Sequence, residues 1–417
     1  MSSGLDLPRA PLAPIGFPEL PQVGGVEFAT HGLGLYKGRV RDDLLVAHFP
    51  NGASVGGVFT MSSTRSADVD WCREALREGE GRASVLVVNA GNSNAFTGEA
   101  GVEKNRATVL AATELSGCAP HEVFLSATGV IGEPLAPHVV SDGVKAAWPR
   151  LARPDWKRVS NAIRTTDTYE KAAGEIANLN RRNVAIAGFC KGSGMIAPNM
   201  ATMLAYVFTD ANLGPDCVQT LLSRYCDLTF NCVTVDGDTS TSDTLLLFAT
   251  GAAGGEPIDD ADDPRLEEFR QALHRVMHDL AIQVVADGEG ATKLIEIEVT
   301  SGASDASAKA VACAIANSPL VKTAIAAGDA NWGRVVMAVG KSGEPVERDK
   351  MTIHFGNHLV GANGARAASY SEAAATAAVK GPKIEIKVDL GVGRGQAKVW
   401  TCDLTDGYVK INGAYRS

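Results

Sequence analysis

Lys191-Gly-Ser-Gly-Met-Ile-Ala-Pro-Asn-Met-Ala-Thr-Met-Leu-Ala-Tyr-Val-Phe-Thr-Asp210 is the stretch on which the reading of this chain turns. It begins as a glycine-bearing loop with one lysine, stiffens at Pro198, passes the small pair Ala201-Thr202 and ends in the apolar run Met203 to Phe208. A polar loop feeding a short continuous apolar run predicts a buried strand. A threonine hydroxyl at the mouth of that strand, behind a residue too small to shield its own carbonyl, is placed to attack the peptide bond before it. Cleavage would make Thr202 an N-terminus, and an N-terminal threonine carries its own general base in its α-amine. With a pKa of ~8, that amine accepts and returns a proton near neutrality, without histidine or metal. The plainer reading is a β-branched residue opening a strand. The local pattern leaves both open.

Working outward, the flanking sequence reads as α/β. Leu44 to Phe49, Val55 to Thr60 and Ala83 to Asn89 are short β-rich runs bounded by turn formers. Ala67 to Glu80 and Glu103 to Ser116 have helical spacing, with a tight polar loop from Asn89 to Gly98 between strand and helix. Two strands are expected around Asn183 to Gly188. Downstream, a helix is expected over 215–228, then a hydroxyl-dense segment, Thr234 to Thr244, that could hold water or orient an N-terminal amine. Asp263-Pro264 signals a helix start, and Leu266, Phe269, Leu273, Val276, Met277 and Leu280 give that helix one apolar face. Its His274 and His278 are spaced i,i+4, but the intervening residues lack the glutamate of a zinc helix, so a solvated face is the better reading. His354 and His358 signal no more. Strand, helix and strand follow at Leu294 to Val299, Ala306 to Ala316 and Thr352 to Phe355. Residues 1–25, rich in proline, are expected to lie on the body as an extended arm, and the apolar C-terminal tail is expected to be docked.

Composition bounds the function. The 417 residues are 45% hydrophobic and 21% charged, which suits a globular protein with two or three domains' worth of core. A net charge of −9 offers no positive field for nucleic acid or anionic lipid, so neither is expected as a partner. The eight cysteines show no paired spacing and read as buried small side chains in a reducing compartment. With no signal-like N-terminus and no apolar run near twenty residues, a cytoplasmic protein is expected. Gly391-Val-Gly-Arg-Gly lacks nucleotide-loop spacing, and Lys191 precedes its glycines instead of following them, so no nucleotide site is indicated. No metal site is expected.

Two further motifs carry chemistry. Val123 to Ala127 reads as a strand running into Thr128-Gly129, where backbone N–H groups could face a developing oxyanion; a plain strand-to-turn transition is the alternative. Thr165-Thr166-Asp167-Thr168 is a hydroxyl-rich turn that could cap a helix.

Seven ordered blocks, with the cleavage segment, identify a resemblance. They are Asn89-Ala-Gly-Asn-Ser-Asn-Ala-Phe-Thr-Gly, Ala127-Thr-Gly-Val-Ile-Gly, Thr165-Thr-Asp-Thr, Val233-Thr-Val-Asp-Gly-Asp-Thr-Ser-Thr, Gly288-Glu-Gly-Ala-Thr-Lys, Asp329-Ala-Asn-Trp-Gly-Arg and Ile411-Asn-Gly-Ala-Tyr. Together they resemble the self-cleaving ornithine acetyltransferases of arginine biosynthesis, also called glutamate N-acetyltransferases, over nearly the whole chain. The resemblance implies a mixed α/β sandwich shared by an α segment, 1–201, and a β segment, 202–417, cut at Ala201-Thr202 and often assembled as α2β2. It implies acetyl transfer from N2-acetyl-ornithine to glutamate through Thr202, with Thr128 and Gly129 as the oxyanion hole. Lys191 and Glu289 would seat the charged groups of the amino acid, α-carboxylate and α-amine, and Asn412 and Ser417 would close the pocket. One threonine of the Thr165 motif would touch substrate, placed at Thr165, with Thr166 and Thr168 open. No cofactor is implied; acetyl-CoA as co-substrate stays open. Ser417 stands where the family usually ends in threonine, and Cys190 where alanine is common. An amidohydrolase or aminopeptidase using water as acceptor is the rival enzyme, and an uncleaved amino-acid-binding protein the non-catalytic one.

Overall fold

The structure, a computed structural model, describes residues 7–197 and 203–414. Its first sheet contains β1 (Glu27–His31), β2 (Leu44–Phe59), β3 (Arg82–Asn92), β4 (Val123–Val130), β5 (Lys171–Leu179), β6 (Arg182–Lys191), β7 (Leu204–Thr209) and β8 (Thr244–Ala249). The order is β4-β3-β2-β8-β7-β6-β5, with β1 on the first half of β2. β3 runs parallel to β4 and β7 to β8; the other neighbours are antiparallel. Every residue of β7 and β8 is buried, as expected for apolar strands covered on both faces.

Alternation along β7 sets the two faces. Tyr206 and Phe208 join an aromatic cluster with Phe28, Phe49, Phe189 and Phe248, whereas Ala205 and Val207 pack against helices from the second half of the chain. In chain order the helices are α1 (Ala67–Glu78), α2 (Gly98–Ser116), α3 (Pro137–Ala147), α4 (Trp156–Ala162), α5 (Pro215–Leu228) and α6 (Glu267–Ala286). Ser66 caps α1 by accepting from the Val69 amide, and α5 opens on Pro215, where the missing N–H costs nothing.

A second sheet follows: β9 (Leu294–Gly302), β10 (Thr352–Phe355), β11 (His358–Ala362), β12 (Ala365–Arg366), β13 (Lys383–Asp389) and β14 (Gly395–Cys402), in the order β12-β11-β10-β13-β9-β14. Its own core is completed by α7 (Asp305–Ala316), α8 (Pro319–Ala327), α9 (Trp332–Gly340) and α10 (Glu372–Ala378). α6 sits between the sheets: Leu280 belongs to the first core, and His278 meets Trp400 of β14 edge-on at 4.9 Å. The last helix, α11 (Asp406–Ala414), returns to the first sheet's side of the molecule. The fold is thus mixed α/β, layered as expected.

Several sequence expectations need correction. Leu44 to Phe49 and Val55 to Thr60 form one bent strand, because the register shift between His48 and Ala53 lets β2 switch from β1 to β8 along one edge. α2 starts at Gly98, a turn earlier than its apolar pattern shows. The Thr165–Thr168 turn starts no helix; it leads into β5, and Asp167 is drawn inward by two lysines instead of capping. His274 and His278 are half-buried against Tyr225 and Trp400, not solvated. Six cysteines are buried, Cys118 and Cys313 only partly, and all eight are free. The arm, over residues 7–25, lies on the body: the Ala10 amide bonds Thr168 Oγ1 and Trp156 Nε1 donates to the Pro21 carbonyl.

Candidate active site

Near the end of β4, Thr128 and Gly129 pass the end of β3 at very close range. Gly129 has φ +132° and its partner Gly91 φ +100°. A Cβ on Gly129 would stand 2.7 Å from the Asn92 nitrogen, so the approach requires the absence of a side chain. Thr128 and Gly129 open onto a cavity shared with Ser93, Thr165 and Thr166 before β5, and Lys191 at the end of β6. Gly194 and Met195 follow on the next loop, with Asp236, Asp238 and Ser240 to Ser242 opposite, and Glu289, Tyr408 and Asn412 complete the wall.

Six residues named from sequence therefore meet in one cavity: Thr128, Gly129, Thr165, Lys191, Glu289 and Asn412. Ala201, Thr202 and Ser417 lie outside the described residues. The chain is fixed on both sides of that junction. Upstream, Asp236 accepts from the amides of Met195 (2.6 Å) and Ile196 (2.9 Å), and the Ile196 carbonyl accepts from the Val235 amide and the Thr234 hydroxyl, each at 2.9 Å. Downstream, the Thr244 amide donates to the Met203 carbonyl, and Leu204 is register partner to both Lys191 and Thr244. β7 therefore begins beside the cavity.

Two of the charged groups in the cavity, Lys191 and Glu289, are buried. The Lys191 ammonium donates to Thr165 Oγ1 at 3.1 Å; burial pushes its pKa down, with Asp167 opposing and Lys171 adding. Glu289 accepts from the Asn412 amide at 2.7 Å, and burial pushes its carboxyl up against the hydrogen bonds from Asn412 and Thr166. Burial also raises Asp236, which the Tyr408 hydroxyl bonds at 3.1 Å. Behind Lys191, the fully buried Lys171 bridges Asp167 (2.6 Å) and Asp287 (2.5 Å). Burial opposes the Asp167 charge, but Lys171, Lys191 and the Gly192 amide outweigh it and hold the carboxyl well below the usual range. Asp167 also accepts from the amides of Thr165 (3.0 Å) and Gly192 (2.7 Å), so one carboxylate ties the threonine turn to the lysine loop. Asp287 takes both the amide and the hydroxyl of Thr168, which turns Thr168 out of the cavity and leaves Thr165 and Thr166 in it.

Asp243 is 1% exposed, and neither carboxyl oxygen makes a hydrogen bond of ordinary geometry among the described residues. Burial pushes its pKa well up, softened by the Met203 amide, Lys191 and Ser240. Among the described residues no cluster of three histidine, cysteine, aspartate or glutamate side chains could hold a metal ion.

Sequence reasoning missed Asp236, Tyr408, Ser93 and the Lys171–Asp167–Asp287 bridge. Ser93 and Asp236 stood inside quoted motifs but without a role. Tyr408 carries no local signal, since its partner Asp236 is 172 positions away, and the bridge joins Lys171 to Asp167 four positions before it but also to Asp287, 116 positions on.

The model of the ArgJ family matches residues 27–417. The chain belongs to the ArgJ family. Its relatives agree in name and length. The arginine biosynthesis bifunctional protein ArgJ of Brucella suis biovar 1 (strain 1330) is 53% identical over 416 residues, covering 98% of this chain and 99% of that protein. The protein of the same name from Rhizobium meliloti (strain 1021) is 53% identical over 411 residues, with the same coverage. A crystal structure of the ArgJ protein of Bacillus halodurans aligns at 44% identity with 51% of this chain and 100% of its own, with a TM-score of 0.49.

Proposed function

We propose that this chain transfers the acetyl group of N2-acetyl-L-ornithine to L-glutamate in arginine biosynthesis, through an acetyl ester on Thr202. The observation that carries the reading is the meeting in one cavity of a buried cation, Lys191, a buried carboxyl, Glu289, and the Thr128-Gly129 pair. Acetyl-ornithine brings an α-carboxylate and a δ-ammonium. Its α-nitrogen is an uncharged amide, so in this donor Glu289 complements the side-chain ammonium, an α-amine being present only in the free amino acids. Lys191 complements the carboxylate.

In the first half, Thr202 Oγ attacks the acetyl carbonyl while its α-amine takes the hydroxyl proton, and Thr128 with Gly129 stabilises the tetrahedral oxyanion. The C–N bond breaks, the α-amine returns the proton to the leaving nitrogen, and ornithine departs. In the second half, the uncharged α-amine of glutamate attacks the ester, its proton passes back through the Thr202 amine to Oγ, and N-acetylglutamate leaves. Thr202 becomes N-terminal by cleavage after Ala201, and the two segments stay together, as an α2β2 assembly in the cytoplasm. Acetyl-CoA as a second donor would enter through the same acetyl ester.

The test uses excess enzyme with acetyl-ornithine alone. About one ornithine per active site should appear, with a mark of about +42 Da on the 202–417 segment in denaturing mass spectrometry, and glutamate should discharge it. Sustained ornithine release with free acetate in the absence of glutamate would make the protein a hydrolase instead.

A further inference from the structure

The two halves of this transfer present one subsite with opposite charges. Acetyl-ornithine carries a side-chain ammonium, and glutamate carries a side-chain carboxylate in the corresponding place. The acetyl group, the α-carbon and the α-carboxylate must occupy the same positions in both halves, because one nucleophile serves both. The side chains therefore extend the same way.

The cavity wall is poorly suited to a second carboxylate. Among the described residues, its charged side chains are one lysine, Lys191, and three carboxyls, Asp236, Asp238 and Glu289. A bound glutamate would bring two carboxylates to a wall with one cation among the described residues. An unpaired charge in a buried site is costly, so one of the partners must give up its charge. Asp236 is committed to the amides of Met195 and Ile196 and to Tyr408. Glu289 is 8% exposed, and among the described residues its carboxyl is bonded by two uncharged groups, the Asn412 amide and the Thr166 hydroxyl. Gly194 stands against both carboxyl oxygens, where any side chain would collide with them.

We propose that Glu289 changes protonation state between the two halves: a carboxylate when the δ-ammonium of acetyl-ornithine fills the cavity, and a carboxylic acid donating a hydrogen bond when the γ-carboxylate of glutamate takes its place. This rests on the acetyl-transfer reading given above. The proton comes from solvent as glutamate binds and returns when N-acetylglutamate leaves, so the cycle balances. The groups around Glu289 favour a ready switch. Burial and Asp236 work towards the acid, while Asn412, Thr166 and Lys191 work towards the carboxylate. Glu289 thereby becomes the residue that lets one pocket accept both amino acids, and not merely the anchor of one.

The test compares two acetylated donors, acetyl-ornithine and N-acetylglutamate, whose α-nitrogens are both uncharged, so that only the side chains differ. Each is assayed with its own labelled free amino acid as acceptor, using the whole wild-type enzyme and Glu289→Gln. The glutamine amide mimics the acid as a donor but cannot be an anion. In wild type, the KM of N-acetylglutamate should rise with pH while that of acetyl-ornithine falls. In Glu289→Gln, the KM of acetyl-ornithine should rise about tenfold or more, that of N-acetylglutamate by less than about threefold, and the opposed pH trends should vanish. Equal losses for both donors, or pH trends running the same way in wild type, overturn the switch. The wild-type trends decide the matter even if the variant does not fold. A wild-type enzyme that exchanges acetyl with neither amino acid would bring down the transfer reading itself, whereas exchange with parallel trends brings down the switch alone.

Discussion

Gly194→Ala isolates the position of Glu289 from everything else in the site. Gly194 does not have a positive φ, so alanine fits its backbone and only the added methyl matters. That methyl would lie 2.5 Å from Glu289 Cδ and 2.8 Å from Oε1, against a comfortable separation of about 3.5–4.0 Å. The carboxyl must retreat by about 1 Å, which stretches its 2.7 Å bond from Asn412 beyond hydrogen-bonding range. Folding should lose nothing. The displaced atoms end a flexible side chain, and the lost glycine entropy adds about 0.4–1 kcal/mol. Binding should suffer, since a misplacement of ~1 Å in a positioning group costs on the order of 10²-fold, or about 2.7 kcal/mol. Steady-state kinetics with acetyl-ornithine, beside a thermal melt of the same sample, give both numbers. An unchanged KM with an unchanged melt would refute the claim that Glu289 touches the substrate.

Other substitutions probe other parts. Thr128→Ala should lower kcat by roughly 10²–10³ with the fold intact, the usual loss for one oxyanion donor, and single-turnover acetylation measures it. Because burial depresses Lys191, binding of the substrate carboxylate should be present at neutral pH and lost as pH rises through a value below that of an ordinary lysine. Asp167→Asn removes the main opposing charge and should move that alkaline loss to still lower pH in a kcat/KM profile; an unmoved limb would separate Asp167 from Lys191. Asp243 has a folded pKa raised above its unfolded value, so its ionisation weakens the fold progressively as pH rises above the ordinary aspartate range. Asp243→Asn should therefore melt higher than wild type at pH 8 and near it at pH 4, and a lower melting temperature at pH 8 contradicts this.

What the sequence made legible follows from the range of the forces involved. The apolar run Met203 to Phe208 announced a buried strand because a strand covered on both faces needs no polar alternation, and β7 is one. The helix after Asp263-Pro264 was equally plain, since its signals are local: Asp263 accepts from the Arg265 amide and caps a 3-10 turn, Pro264–Leu266, that leads into the apolar face of α6. The single bent strand from Leu44 to Phe59 was hidden because its continuity depends on which neighbour each half finds. Within the cavity, Lys191 and Glu289 were found through motifs quoted for resemblance. Lys171 was not, because nothing near it in sequence shows that it will be sealed between Asp167 and Asp287, and Asp287 lies 116 positions away. The helix cap that the Thr165 turn offered as a plain alternative does not form at Asp167, because its two lysines outweigh a local preference.

The order of the first sheet also bears on how the chain leaves the ribosome. Among the described residues, Val55 to Phe59 pairs with β8 and with no other strand, yet about 185 residues separate Phe59 from Thr244. At roughly 5–20 residues per second, the stretch waits on the order of 10–40 s for its partner. During that time its hydrogen-bonding edge is open to any other extended chain. Gly56 and Gly57, which the folded protein needs so that Gln219 of α5 and Leu76 of α1 can come close, also make the waiting segment a poor template for stray pairing. Cooler growth, which slows collisions more than it harms a chain still being made, and a larger supply of holding chaperones should both raise the soluble yield, and filling either glycine should lower it by two routes at once.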